Sequence, residues 1–215
     1  MAELSRVLPQ GLTTLTTEEG AVTDISYVTG RVWTGGDLPS DLGDEAMLAE
    51  LVAIQRAGIT DILDNRIEWS DEEFVRTHAP HLGFLWNGAD DAGQVMADDW
   101  FRAGVDFALE VLADPDAQVL SHCHMGINRG PSMAFAILLA TGMDPVAALT
   151  AIRQARPIAA IAYDGDALDW WHRTHGTPQR VAKRQLCEVE RWHQENPLDF
   201  DLIIRVLRDN EAGGT

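Results

Sequence analysis

Positive charge is scarce in this chain. Its 215 residues hold 16 Lys and Arg against 34 Asp and Glu, for a net charge of −18. A balance so acidic argues against a broad nucleic-acid surface or binding to an anionic membrane, because both need a cationic face. Lysine is almost missing: Lys183 stands alone beside fifteen arginines, a compositional habit rather than a functional signal. Cysteine is nearly missing too. Cys123 and Cys187 lie 64 residues apart and cannot build a disulfide framework. No apolar run reaches the ~18 residues of a membrane-spanning helix, so none is expected. Met1 to Gly20 lacks an apolar segment and is not expected to act as a signal peptide. A reducing cytoplasm is the expected compartment. What is present in quantity is apolar content, 46% of residues, enough for the core of one domain with extensions.

Patterning divides the chain into three parts. Residues 1–20 are polar and weakly patterned, as in a loosely ordered arm. Residues 21–176 carry the alternating signals of a folded domain, and 177–215 read as a helical C-terminal extension. Ile25 to Trp33 alternates like a short hairpin or edge strands. Asp44 can cap a helix to about Arg56, with Leu48, Leu51 and Val52 on one face and Gly58 as its stop. Ile59 to Leu63 reads as a buried strand. Asp98 or Asp99 caps a helix whose Phe101, Val105, Ala108, Leu109 and Leu112 share a face, and Asp114-Pro115 ends it. Val119-Leu120 is strand-like, and an apolar helix-like run follows from Met133 to Ala140. Asp144-Pro145 opens another helix, which stops before Pro157. Asp166 to Arg173, a stretch after Pro178, and Leu202 to Leu207 complete the pattern. Strands alternating with helices imply an α/β fold, with a central, mostly parallel sheet flanked by helices. In such folds ligands sit at the carboxyl ends of the strands.

Ser121-His122-Cys123-His124-Met125-Gly126-Ile127-Asn128-Arg129-Gly130-Pro131-Ser132 sits at such an end. A strand, a tight loop and a helix N-terminus aim backbone N–H groups and a positive dipole at one point. A thiol held there is pushed toward thiolate, the nucleophilic form. Arg129, five residues beyond Cys123, offers a planar fork that matches phosphate oxygens. Gly126 permits the tight turn. The N–H groups of His124, Met125, Gly126, Ile127, Asn128 and Arg129 are the expected phosphate-binding groups. Pro131 fits the first turn of the following helix.

His-Cys-x5-Arg resembles the signature of the cysteine-dependent protein tyrosine phosphatases, and its surroundings resemble the dual-specificity branch. The resemblance runs from about Thr23 to Trp171. It includes Tyr27 to Gly36, Ala57 to Asp64, and Gly88 to Gly93 followed by Trp100-Phe101. It implies that Cys123 attacks phosphorus, that Arg129 holds the phosphoryl group, and that His122 organises the loop. It also implies a general acid 32 residues before Cys123, which selects Asp91, with its neighbour Asp90 as the alternative. No metal and no organic cofactor is expected. The expected substrate is a phosphorylated one, a phosphoprotein carrying phosphotyrosine or phosphoserine/threonine. One departure stands out: the family's Ser or Thr after the arginine is Gly130 here. That hydroxyl helps the cysteine leave, so slow breakdown of a phosphocysteine is expected, with Ser132 as a substitute donor.

Other readings compete. His122-Cys123-His124 is rich in metal ligands, but adjacent residues rarely converge on one ion. A rhodanese-type sulfurtransferase also uses a cysteine loop, though a shorter one. A catalytically weak or dead phosphatase-like binding module is the main alternative, supported by Gly130. Arg153 and Arg156 read as structural, and Arg180, Lys183 and Arg184 as a solvated helix face.

Overall fold

A computed structural model describes residues 24–213; the arm expected over 1–20 lies outside them. The first elements among the described residues form a hairpin, β1 (Ile25–Thr29) and β2 (Val32–Gly35). Its two-residue turn places Gly30 and Arg31 both at positive φ, 55° and 74°, the combination that matches strand twist. There follow α1 (Asp44–Arg56), β3 (Asp61–Arg66), α2 (Glu72–His78), β4 (Gly83–Ala89), α3 (Asp98–Leu112) and β5 (Val119–His122). Five helices complete the chain: α4 (Arg129–Ala140), α5 (Pro145–Ala155), α6 (Asp164–Thr174), α7 (Gln179–Glu195) and α8 (Phe200–Gly213). The sheet order is β1-β2-β5-β3-β4, with only the β1–β2 pair antiparallel. This is the expected mostly parallel α/β sheet.

β5 occupies the centre of that sheet, and all four of its residues are buried. Strands buried on both faces read as short apolar runs, which is why Val119-Leu120 is recognisable. One face is covered by α3, α4 and α6, where Phe101, Val105, Phe135, Leu168 and Trp170 share a core. On the other, Leu51 and Ile54 of α1 meet Ile62, Val75 and Leu120. α4 is enclosed on all sides: Met133 through Leu139 are at most 2% exposed. An enclosed helix needs no polar face, which explains its unbroken apolar run.

Several details differ from the sequence expectations. α2 and β4 were not anticipated. α2 is one short amphipathic piece with a single buried side chain, Val75, and β4 is an edge strand interrupted by Gly88. α3 is preceded by Ala97 rather than capped by an Asp side chain, and Asp98 and Asp99 instead lie in its first turn, favourably placed on the helix dipole. α1 likewise begins at Asp44, with Gly43 before it. α4 starts at Arg129, four residues before the apolar run. Asp144 does cap α5, accepting from the N–H groups of Val146 (3.0 Å) and Ala147 (3.1 Å). α7 buries Val189 and Trp192 against the domain, and the Trp192 indole donates to Thr150 Oγ1 at 3.0 Å. Among the described residues no helix is long and apolar enough to cross a membrane.

Candidate active site

The site forms where β5 runs out between β2 and β3. Cys123 N–H donates to the Gly35 carbonyl of β2 at 3.3 Å, so the sulfur is anchored to the sheet. The loop is then shaped from outside. Arg156, 1% exposed, donates from Nε to the Gly126 carbonyl (2.6 Å) and from Nη2 to the Met125 carbonyl (2.8 Å). Asp24 completes its pairing at 2.8 Å. The Ile127 carbonyl accepts from Ala160 N–H at 2.7 Å. With these carbonyls turned outward, the following N–H groups are left to the inside of the loop, where those of Gly126, Asn128 and Gly130 pull the Cys123 thiol toward thiolate. Gly126 is needed for this turn. Its φ is +58°, and a Cβ there would stand 2.4 Å from the Gly35 carbonyl carbon.

Arg129 is buried at the first position of α4. Its guanidinium end is occupied: Nη1 and Nη2 grip Glu68 Oε2 and Oε1 at 2.7 and 2.8 Å, and Nη1 also donates to the Ala89 carbonyl (2.8 Å). The side edge is not: Nε is buried with no hydrogen-bond partner. A guanidinium has two usable edges. Glu68 takes one and fixes the plane; on the other, Nε makes no hydrogen bond and faces Asp91 Oδ2 at 3.4 Å. Its bonds with Arg129 hold the Glu68 carboxyl well below the usual range, at about 2.

Asp91 closes over the loop. Its Oδ2 lies 3.4 Å from Arg129 Nε, and its Oδ1 accepts from Asn128 Nδ2 at 2.6 Å and from the Tyr163 hydroxyl at 2.8 Å. Asp90 turns away; its Oδ1 accepts only the Asp91 N–H at 2.8 Å. Of the two neighbours, the geometry brings Asp91 to the loop.

Cys123 itself departs from the sequence expectation of a thiol pushed toward thiolate. It is 3% exposed, and burial pushes its thiol up, against the pull of the Gly130, Asn128 and Gly126 N–H groups and of Arg129. The physical reason is burial: a thiolate cut off from water loses more hydration than these groups return.

His122 points beneath the loop, with Nε2 at 3.8 Å from Asp64 Oδ1, and burial pushes its imidazole down, toward the neutral form. His124 points instead to the rim, where Nδ1 meets Asp37 Oδ2 at 2.9 Å and its ring packs edge-on against Trp69. The two imidazoles therefore diverge, which removes the geometric basis for an ion held between them. Asp64, Asp71 and His122 do cluster, but Arg66 fills that cluster. Its Nη2 donates to Asp64 Oδ2 (2.7 Å) and to Asp71 Oδ2 (2.6 Å), and its Nη1 donates to Asp37 Oδ2.

Ser132, the expected substitute donor, is engaged with other partners in this arrangement. Its Oγ donates to Asn128 Oδ1 (3.3 Å) and accepts from Tyr163 N–H (3.2 Å), so it ties the loop to the segment before α6. Gly130 has no room for a side chain: a Cβ would lie 2.9–3.0 Å from the His122 and Cys123 backbone. Glu68, Tyr163 and Arg66 were missed from sequence, because each joins the site from a separate element and none carries a local motif. Arg156 was read as structural, and its work is to shape the loop.

No protein-family model matches the sequence. Among curated proteins the chain is similar to dual specificity protein phosphatase 26 of Mus musculus, 28% identical over 112 residues, or 51% of this chain and 50% of that protein. The match thus spans about half the length of that relative. Among solved structures it is similar to a mouse dual specificity phosphatase complexed with zinc tungstate. There the TM-score is 0.56 and the identity 16%, with 74% of this chain and 95% of that one covered. It is also similar to PTPMT1 in complex with PI(5)P, with TM-score 0.53, 17% identity, and coverage of 70% and 99%. At such identities the solved structures establish the fold alone. In fold the chain is similar to these dual specificity phosphatase and PTPMT1 structures, and over about half its length its sequence is similar to a dual specificity phosphatase.

Proposed function

We propose that this protein hydrolyses phosphomonoesters through a phosphocysteine on Cys123, with phosphoproteins bearing phosphotyrosine or phosphoserine/threonine as the substrate class. The observation that supports this reading is the gathering of buried Cys123, the outward-held loop carbonyls, Arg129 Nε and Asp91, 3.4 Å from that Nε, at the end of β5. In the first step Cys123, having given its proton to solvent, attacks phosphorus as thiolate. The P–O bond to the leaving group breaks, and the Asp91 carboxylic acid gives that oxygen its proton. The equatorial phosphoryl oxygens are held by the loop N–H groups and Arg129. In the second step the Asp91 carboxylate takes a proton from water as the water oxygen attacks phosphorus. The S–P bond breaks, and inorganic phosphate and the thiolate are released. A free Cys123 thiol suits a reducing compartment such as the cytoplasm.

The test is hydrolysis of an aryl phosphate by the full chain. Cys123→Ser abolishes it, and Asp91→Asn lowers kcat by about 10²-fold. Activity that survives Cys123→Ser would overturn the reading. A second reading, a phosphate-binding module with little turnover, draws on the upward-shifted thiol and on Gly130. It predicts vanadate or sulfate binding with no hydrolysis above the Cys123→Ser level.

A further inference from the structure

Tyr163 lies outside the cysteine loop and belongs to no motif in the sequence, yet its hydroxyl meets the carboxylate of Asp91 at 2.8 Å. The ring is 3% exposed and packs edge-on against Trp100. Its backbone is fixed to α4, since Tyr163 N–H donates to Ser132 Oγ and the preceding Ala162 N–H donates to Asn128 Oδ1 at 2.7 Å. The hydroxyl also accepts from Gly93 N–H at 3.3 Å, on the far side of the acid loop. Asp166, at the start of α6, holds the same loop by accepting from Met96 N–H at 2.8 Å. The loop that carries Asp91 is therefore docked on the Tyr163–Asp166 segment, and that segment is bonded to the cysteine loop.

Resting on the phosphatase reading above, we propose that Tyr163 is a positioning residue for proton transfer: with Asn128 it saturates Asp91 Oδ1, so that the transferred proton rides on Oδ2. Two donors on Oδ1, at 2.6 and 2.8 Å, leave it no favourable site for a proton. Oδ2 is the atom on the Arg129 Nε side, where a phosphoryl group would sit. The phenol stays a donor across the working range, since burial and the bond to Asp91 push it up to about 12.

Leaving-group dependence tests this. A good leaving group needs no proton and a poor one does, so loss of positioning shows as selectivity, whereas general damage to the fold does not. Tyr163→Phe keeps the ring against Trp100. It should lower kcat/KM, which reads the steps up to phosphocysteine formation and not its slow breakdown, by about tenfold for phenyl phosphate and by less than about twofold for dinitrophenyl phosphate. Asp91→Asn should show the same selectivity more strongly, and adding Tyr163→Phe to it should cost nothing further. Equal losses on both substrates, or none on either, in Tyr163→Phe while Asp91→Asn stays selective would overturn the proposal alone. An unselective Asp91→Asn would overturn the acid assignment along with it. A second measurement needs no change at position 163. The chain has two tyrosines, so fluorotyrosine labelling gives two fluorine resonances, and Tyr27 lies on β1. Asp91→Asn should move one resonance and leave the other; two unmoved resonances would show that the bond is absent in solution.

Discussion

At the residue scale, the chemistry depends on what surrounds one sulfur. Burial acts against ionisation, three N–H groups and Arg129 act for it, and the net direction is upward. The lever is Glu68, because its carboxylate offsets the Arg129 charge that would otherwise favour thiolate. With Glu68 held at about 2 it is ionised throughout ordinary assay conditions, so this offset does not switch with pH near neutrality. Glu68→Gln removes a negative charge from the Arg129 end while leaving an oxygen to accept. The Cys123 thiol should then titrate at lower pH, since thiolate meets a less neutralised guanidinium. Iodoacetamide alkylation followed against pH reads this directly, and Cys187, which is exposed, must first be changed to serine. An unchanged or raised midpoint would mean that Glu68 does not oppose the thiolate.

At the scale of elements, α4 is packed so closely on the end of β5 that its second residue must be glycine. A Cβ at Gly130 would press on backbone atoms, which cannot rotate away as a side chain can. Restoring the family's serine there should therefore not restore a helpful hydroxyl. Gly130→Ser should lower stability by about 1–3 kcal/mol in urea unfolding, with no gain in turnover. Faster breakdown of the intermediate at unchanged stability would contradict the packing argument. This scale also separates what the sequence disclosed from what it hid. The cysteine loop was legible because strand, turn and helix start lie within twelve residues and each has its own local signal. α5 was legible from Asp144-Pro145, a cap followed by a first-turn proline. β4 was not, because Gly83 and Gly88 read as loop residues while the strand borrows its order from β3. Glu68 and Tyr163 were hidden because their partners, Arg129 and Asp91, stand 61 and 72 residues away in sequence. The bonds of Ser132 to Asn128 and Tyr163 were hidden too, because helix position alone does not say which way a hydroxyl turns.

At the scale of the whole molecule, a net charge of −18 surrounds a site meant for an anion. Asp37, Glu68, Asp90 and Asp91 stand at or beside the loop, and among the described residues Arg129 is the arginine that meets Asp91 there. Arg66 and Arg156 are each fully buried and already paired. Contact forces in the loop act within a few ångströms, while the distant field repels the approaching substrate. Screening shortens that field from ~30 Å at 0.01 M salt to ~8 Å at 0.15 M. kcat/KM for a dianionic aryl phosphate should therefore rise with added salt over this range, in steady-state assays with a non-phosphate buffer. A fall would mark a mouth more cationic than these residues make it.

The central claim is a covalent phosphocysteine whose breakdown lacks a hydroxyl at position 130. Rapid-quench kinetics with an aryl phosphate, followed by peptide mapping of the quenched protein, tests it most directly. The account predicts a burst of about one equivalent of phenol per chain and a phosphoryl group on the peptide that contains Cys123. Linear release from the first turnover, with no phosphoryl group on that peptide, would contradict it.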